Sequence, residues 1–115
     1  MTEIPENENS TTEVIAMQLI AFSGNARSLA FEAFNETRDG NLEEAEKMLE
    51  EATDSIAQAH QIQMDLLVAE ANGEKTELGI LLVHAQDHFM TSLLAVDMMK
   101  VMIEMQKKIS ELEKR

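Results

Sequence analysis

Apolar residues recur along most of this chain with a helical rather than a strand period. After Ile15, the positions Leu19, Phe22, Ala26, Leu29 and Ala33 alternate in steps of four and three, the spacing that lines one face of an α-helix. A second run, Leu42, Ala45, Leu49, Ala52, Ile56, Ala59, Gln63 and Leu66, keeps the same alternation, with Glu43, Glu46, Lys47, Glu50 and Glu51 on its outward face. Turn residues are confined to Arg38-Asp39-Gly40-Asn41 and Asn72-Gly73-Glu74-Lys75-Thr76, because the only proline is Pro5 and glycine occurs at 24, 40, 73 and 79 alone. The pattern predicts three long helices. The first starts near Ser10, Thr11 or Thr12, any of which can cap it, and ends at Asp39-Gly40, with Gly40 in the left-handed C′ position. The second opens at Asn41, with Glu44 placed as in a capping box, and stops at Asn72-Gly73. The third runs from Thr76 to about Leu112. Gly24 falls inside the first helix, where glycine costs about 0.8–1 kcal/mol relative to alanine. It marks either a close helix–helix approach or room for a neighbouring group.

The third segment differs from the other two. From Leu78 to Met105 its only charged residues are Asp87, Asp97, Lys100 and Glu104, and apolar residues appear all round the helical wheel. A helix in a three-helix monomer has one wet face and should show a single apolar stripe. Leaving several large aliphatic side chains in water forgoes about 1.5–3 kcal/mol each, so this helix calls for further partners, most economically copies of itself in a closed assembly. Met90, Leu94 and Met98 are then either core or adaptable contact residues at a rim.

Composition narrows the function. The length of 115 residues suits one domain, read as an acidic loose tail over 1–10 and a helical domain over 11–115. With 9 basic and 22 acidic residues the net charge is −13, which argues against nucleic-acid binding and against docking on an anionic leaflet, since both need a basic surface. The absence of cysteine excludes disulfides, thiolate metal sites and thiol nucleophiles. Aromatics are only 3% and methionines number 9, so the core is aliphatic and little is available to stack a base or a sugar ring. Glu3, Glu6 and Glu8 are unlike a secretory leader, and the longest apolar stretches, such as Leu78 to Val83, are too short for a bilayer. A cytoplasmic protein without membrane insertion is expected.

The candidate chemistry sits in His84-Ala85-Gln86-Asp87-His88. At about 100° per residue, Asp87 and His88 fall on the same side of the helix as His84, with Thr91 one turn further on. A polar island on the most apolar helix has three readings. It can be a hydrogen-bonded core patch. It can be a metal site, with His84 and His88 at the i, i+4 spacing and Asp87 as a third ligand. Or an imidazole can act as nucleophile, a neutral ring presenting an unprotonated nitrogen to which a phosphoryl group can transfer. The spacing does not choose among them. His60, next to the seam residue Ala59, reads as a boundary or solvent histidine.

The string Leu82-Val83-His84-Ala85-Gln86-Asp87-His88-Phe89-Met90-Thr91 resembles the active-site helix of the lactose/cellobiose-type enzyme IIA of the bacterial sugar phosphotransferase system, and Ser23-Gly24-Asn25-Ala26-Arg27-Ser28-Leu29-Ala30 resembles that family's first-helix motif. Phe89 stands where leucine is more usual. The resemblance covers nearly the whole chain after the acidic tail. It implies an antiparallel three-helix bundle that assembles as a homotrimer of nine helices. It implies that His84 accepts a phosphoryl group from phospho-HPr and passes it to the cysteine of a IIB component, during uptake of a β-linked disaccharide (cellobiose, chitobiose or lactose) through the membrane component IIC. It further implies that Asp87 shares one Mg²⁺ per trimer with its symmetry mates, and that Gln86 and His88 support the phosphoryl group. The rival from another class is a helical metal-binding protein using His84, Asp87 and His88; an assembly adaptor with dispensable histidines is a third.

Overall fold

Gly40 and Gly73 turn the chain. Both hold φ in the left-handed region, at 84° and 90°, where a Cβ would be strained. The computed structural model describes residues 9–114, which form three helices: α1 (Asn9–Arg38), α2 (Leu42–Ala71) and α3 (Ile80–Glu113). α2 runs antiparallel to α3, since Gln63 meets Gln86 near one end while Glu46 meets Lys107 near the other. The expected antiparallel three-helix bundle is therefore present, as a rod of 72 × 30 × 20 Å.

α1 is the shared partner: it packs along both other helices, which touch each other little. Two neighbours widen the buried arc of α1 beyond one seam. Leu19, Ala26 and Ala33 are buried as the alternation predicts, but Ala16, Ser23 and Ala30 are buried too, while Ile15, Phe22 and Leu29 lie half-buried on the flank. Small side chains along the centre let the helices approach closely, and larger ones fill the edges. Into this groove α3 sends Leu82, Phe89, Val96, Met99 and Ile103, and α2 sends Ile56, each a burial of about 1.5–3 kcal/mol. Across α1 and α2, Asn25 Nδ2 donates to Ser55 Oγ (3.2 Å), and Ser55 Oγ donates to the Phe22 carbonyl (2.8 Å).

Asn41 precedes α2 but makes no side-chain cap; its Nδ2 donates instead to Glu36 Oε2 at 2.7 Å, tying the turn to α1 rather than to Glu44. α3 begins at Ile80 rather than Thr76, because Gly79 is extended (φ −116°, ψ 170°) and holds the N-cap position. Leu42, counted in the α2 seam, is 46% exposed at the first residue of its helix. The tail expected over 1–10 lies outside the described residues up to residue 8, while residues 9 and 10 already belong to α1. Among the described residues, and leaving aside the neighbouring backbone of α1 itself, a Cβ at Gly24 would meet no atom within 4 Å, so a close approach of another helix inside the subunit does not account for that glycine.

The expectation that no stretch reaches a bilayer's length also changes. By length and composition α1 could cross one between Thr11 and Arg38, because Arg27 is the only charge from Val14 to Phe31. The same apolarity is what the central helix of a bundle requires, and Ala16, Leu19, Ala26 and Ala30 are spent on that core.

Candidate functional site

α3 presents two apolar faces. One, from Leu82 to Ile103, is the core contact described above. The opposite face carries Ile80, Val83, Leu94, Met98, Val101, Met105, Ile109 and Leu112, all 45–90% exposed. At about 100° per residue these positions fall within about 40° of a line through Asp87. Asp87 is itself exposed, so a lone carboxylate sits on the midline of an apolar stripe that runs the length of the helix. Met90, Leu94 and Met98, left open between core and contact roles, are all exposed within the chain.

The histidines lie to one side of this midline. His84 is exposed, His88 is half-buried one turn further on, and their rings meet edge to face with centroids 4.5 Å apart and an interplanar angle of 80°. Nδ1 of His88 is buried and has no hydrogen-bond partner among the described residues. Thr91, on the next turn, donates to the Asp87 carbonyl at 2.7 Å and also lies 3.4 Å from the His88 carbonyl, so its hydroxyl is spent on the helix backbone. The arrangement offers an accessible imidazole, braced by a second one rooted in the bundle.

Gln86 lies elsewhere. Two residues along a helix is a rotation of about 200°, so Gln86 sits on the flank away from His84. There it faces α2, and its Nε2 donates to Gln63 Oε1 at 2.6 Å. Within one chain the structure brings His84 and His88 together and leaves Gln86 apart. Gln63 was legible only as a polar residue in an apolar seam, which is the signal that sets it off. His60 is exposed on α2, its ring 6.1 Å from that of the buried Phe89, as expected of a boundary histidine.

Among the described residues a metal site built from one chain does not form: no three His, Cys, Asp or Glu side chains come together as a group able to hold an ion. Asp87 projects from the midline while His88 turns a nitrogen into the protein, so the three side chains do not converge. The rival reading of a helical metal site on His84, Asp87 and His88 is therefore not favoured.

Comparison with known proteins agrees with the geometry. Residues 14–107 match the family model described as the lactose/cellobiose-specific IIA subunit of the phosphotransferase system. The lichenan-specific phosphotransferase enzyme IIA component of Bacillus subtilis is 44% identical over 103 residues, covering 90% of this chain and 94% of that protein. The lactose-specific component of Staphylococcus epidermidis is 43% identical over 96 residues, covering 84% and 92%. Among solved structures, the cellobiose-specific enzyme IIA of Bacillus anthracis superposes with a TM-score of 0.84 at 42% identity, over 88% of this chain and 93% of the other. A IIA(chitobiose)–HPr complex from Escherichia coli contains a chain that superposes with a TM-score of 0.74 at 35% identity, over 86% and 96%.

Proposed function

Because this chain belongs to the lactose/cellobiose-specific IIA family of the sugar phosphotransferase system, we propose that His84 is the residue on which it carries a phosphoryl group. The chain is a phosphocarrier that takes the group from phospho-HPr and passes it to a IIB component; a relative of the same fold has been solved in complex with HPr. Its relatives serve lichenan, lactose, cellobiose and chitobiose systems, and the cargo proposed here is likewise a β-linked sugar, phosphorylated during uptake through a membrane component IIC. The carrier itself works from the cytoplasm.

The observation that carries the assignment is the place of His84: exposed, on the edge of the unpartnered stripe, with His88 behind it. Transfer of a phosphoryl group asks for positioning and charge neutralisation more than for acid–base machinery. The bond to the donor breaks as a bond to an imidazole nitrogen forms, and the reverse happens at the acceptor. His88 braces the ring that must accept and release the group.

The stripe on α3 supports a homotrimer of nine helices, in which three copies cover this face from water. In a ring of parallel α3 helices facing the axis through Asp87, the flank bearing His84 meets the opposite flank of the next subunit, where Val83, Gln86 and Met90 lie. Gln86 then reaches the phosphoryl site from the neighbouring chain, offset along the axis from His84 by two residues, about 3 Å. Three Asp87 carboxylates meeting on an apolar axis would repel one another unless neutralised. Their oxygen-only donor set fits a hard cation such as Mg²⁺, held by Asp87 of each subunit, which would supply that neutralisation and join the subunits.

The test is incubation with phospho-HPr followed by intact-mass analysis. The wild-type chain takes up one phosphoryl group per chain, and His84→Ala takes up none. Stoichiometric labelling of His84→Ala overturns the assignment.

A further inference from the structure

One hydrogen bond links the side chains of Gln63 and Gln86. It joins α2 to α3 where those helices otherwise meet sparsely, and a cleft of about 220 Å³ between Leu66, Leu82 and the two glutamines opens beside it. Close packing therefore does not fix the Gln86 side chain, whose three rotatable bonds would leave its amide free to wander. Gln63 does fix it. Its position belongs to the apolar alternation of α2, with Ala59 buried on one side and Leu66 half-buried on the other, so burial alone would favour an aliphatic residue there. The atom that matters is the acceptor oxygen, which engages Gln86 Nε2 at 2.6 Å. A carboxylate would accept that bond more strongly. In a chain with 22 acidic residues the position nonetheless carries a neutral amide, which spares a dianionic phosphoryl group a repulsive neighbour.

We propose that Gln63 is a positioning residue for phosphoryl transfer: it commits one N–H of the Gln86 amide and thereby aims the other across the subunit boundary at the phosphoryl group on His84 of the next chain. This rests on the carrier reading above, and on Gln86 serving the neighbouring site. Gln63 does not touch the reacting atoms. It acts through Gln86, and losing it leaves Gln86 present but unaimed.

A double-mutant cycle on the full-length chain tests the idea, with single-turnover uptake from phospho-HPr as the readout. Gln86→Ala and Gln63→Ala each slow uptake at saturating donor by about 3–30-fold, the scale of a misplaced positioning group. The donor concentration giving half the maximal rate stays unchanged. The double variant is no slower than Gln86→Ala alone, because Gln63 has nothing left to aim. Gln63→Met, of similar length but without the acceptor, behaves as Gln63→Ala and supplies the result if the alanine variant loses helix content or assembly. Effects that multiply would mean that Gln63 acts independently of Gln86, and would overturn the proposal. So would full activity of either Gln63 variant beside a slow Gln86→Ala, which leaves the role of Gln86 standing. Full activity of Gln86→Ala removes both roles, while the carrier reading is decided separately by His84→Ala.

Discussion

His84 and His88 stand edge to face, 4.5 Å between ring centroids, with the outer ring exposed and a nitrogen of the inner ring buried and without a partner among the described residues. The inner imidazole thus limits how the outer one can turn. It also sets a second ring beside the proposed phosphoryl site. His88→Ala should slow single-turnover uptake from phospho-HPr by about 10–100-fold, within the range for a group that positions or neutralises at a reacting centre. Circular dichroism should show the helices intact. His88→Phe keeps the ring and loses the nitrogens, so it should be slow as well; wild-type rates for it would reduce His88 to packing.

Asp87 places one carboxylate on the midline of the α3 stripe, and its value depends on what neutralises it. In the proposed trimer Asp87→Leu replaces a cluster of like charges by apolar contacts and should leave that assembly intact or firmer in sedimentation, because well-packed apolar residues often match or exceed buried charge clusters in stability. A chelator should lower the melting temperature of the wild type and leave Asp87→Leu unmoved. Equal responses of the two proteins would exclude a cation shared through Asp87.

Buried hydroxyls divide into two kinds in this core. Ser55 Oγ is satisfied, donating to the Phe22 carbonyl and accepting from Asn25, whereas Ser92 Oγ is fully buried with no partner among the described residues. An unpaired buried hydroxyl costs about 1–3 kcal/mol, and a made hydrogen bond contributes about 0.5–1.5 kcal/mol. Ser92→Ala should therefore stabilise the fold by about 1 kcal/mol, and Ser55→Ala should destabilise it by a similar amount, both read from denaturant midpoints. The same sign for the two substitutions would contradict this division.

What the sequence made legible follows the range of the forces involved. The helices and their corners are local: the four-three alternation and the left-handed glycines at 40 and 73 are each written within a few residues, and both corners appear where expected. The start of α3 was missed because Thr76 has the chemistry of a cap, while the extended backbone at Gly79 only becomes decisive once the chain must cross from α2. The capping box at Asn41 failed for a similar reason, since Glu36 offered a competing partner five residues back. At the site, His84, Asp87 and His88 shared a face by helical spacing alone. Gln86 did not: adjacency in the string hid a turn of about 200°, and its partner Gln63 lies 23 residues away on another helix.

The exposed stripe gives the sharpest test of assembly. Leu94 is 60% exposed, lies near the midline two turns beyond Asp87, and has Val101 and Met105 further along the same line. Leu94 makes no part of the bundle's own core, so a substitution there should spare the fold of a single chain. A lysine at this position brings three ammonium groups together on the axis of the proposed trimer, where each loses its hydration and repels the others. Leu94→Lys should accordingly yield well-folded monomers in sedimentation, with helix content unchanged. Those monomers should also be slow to accept a phosphoryl group, since His84 would then lack the neighbour's Gln86. A Leu94→Lys protein that sediments as the wild type would move the subunit contact away from this face of α3.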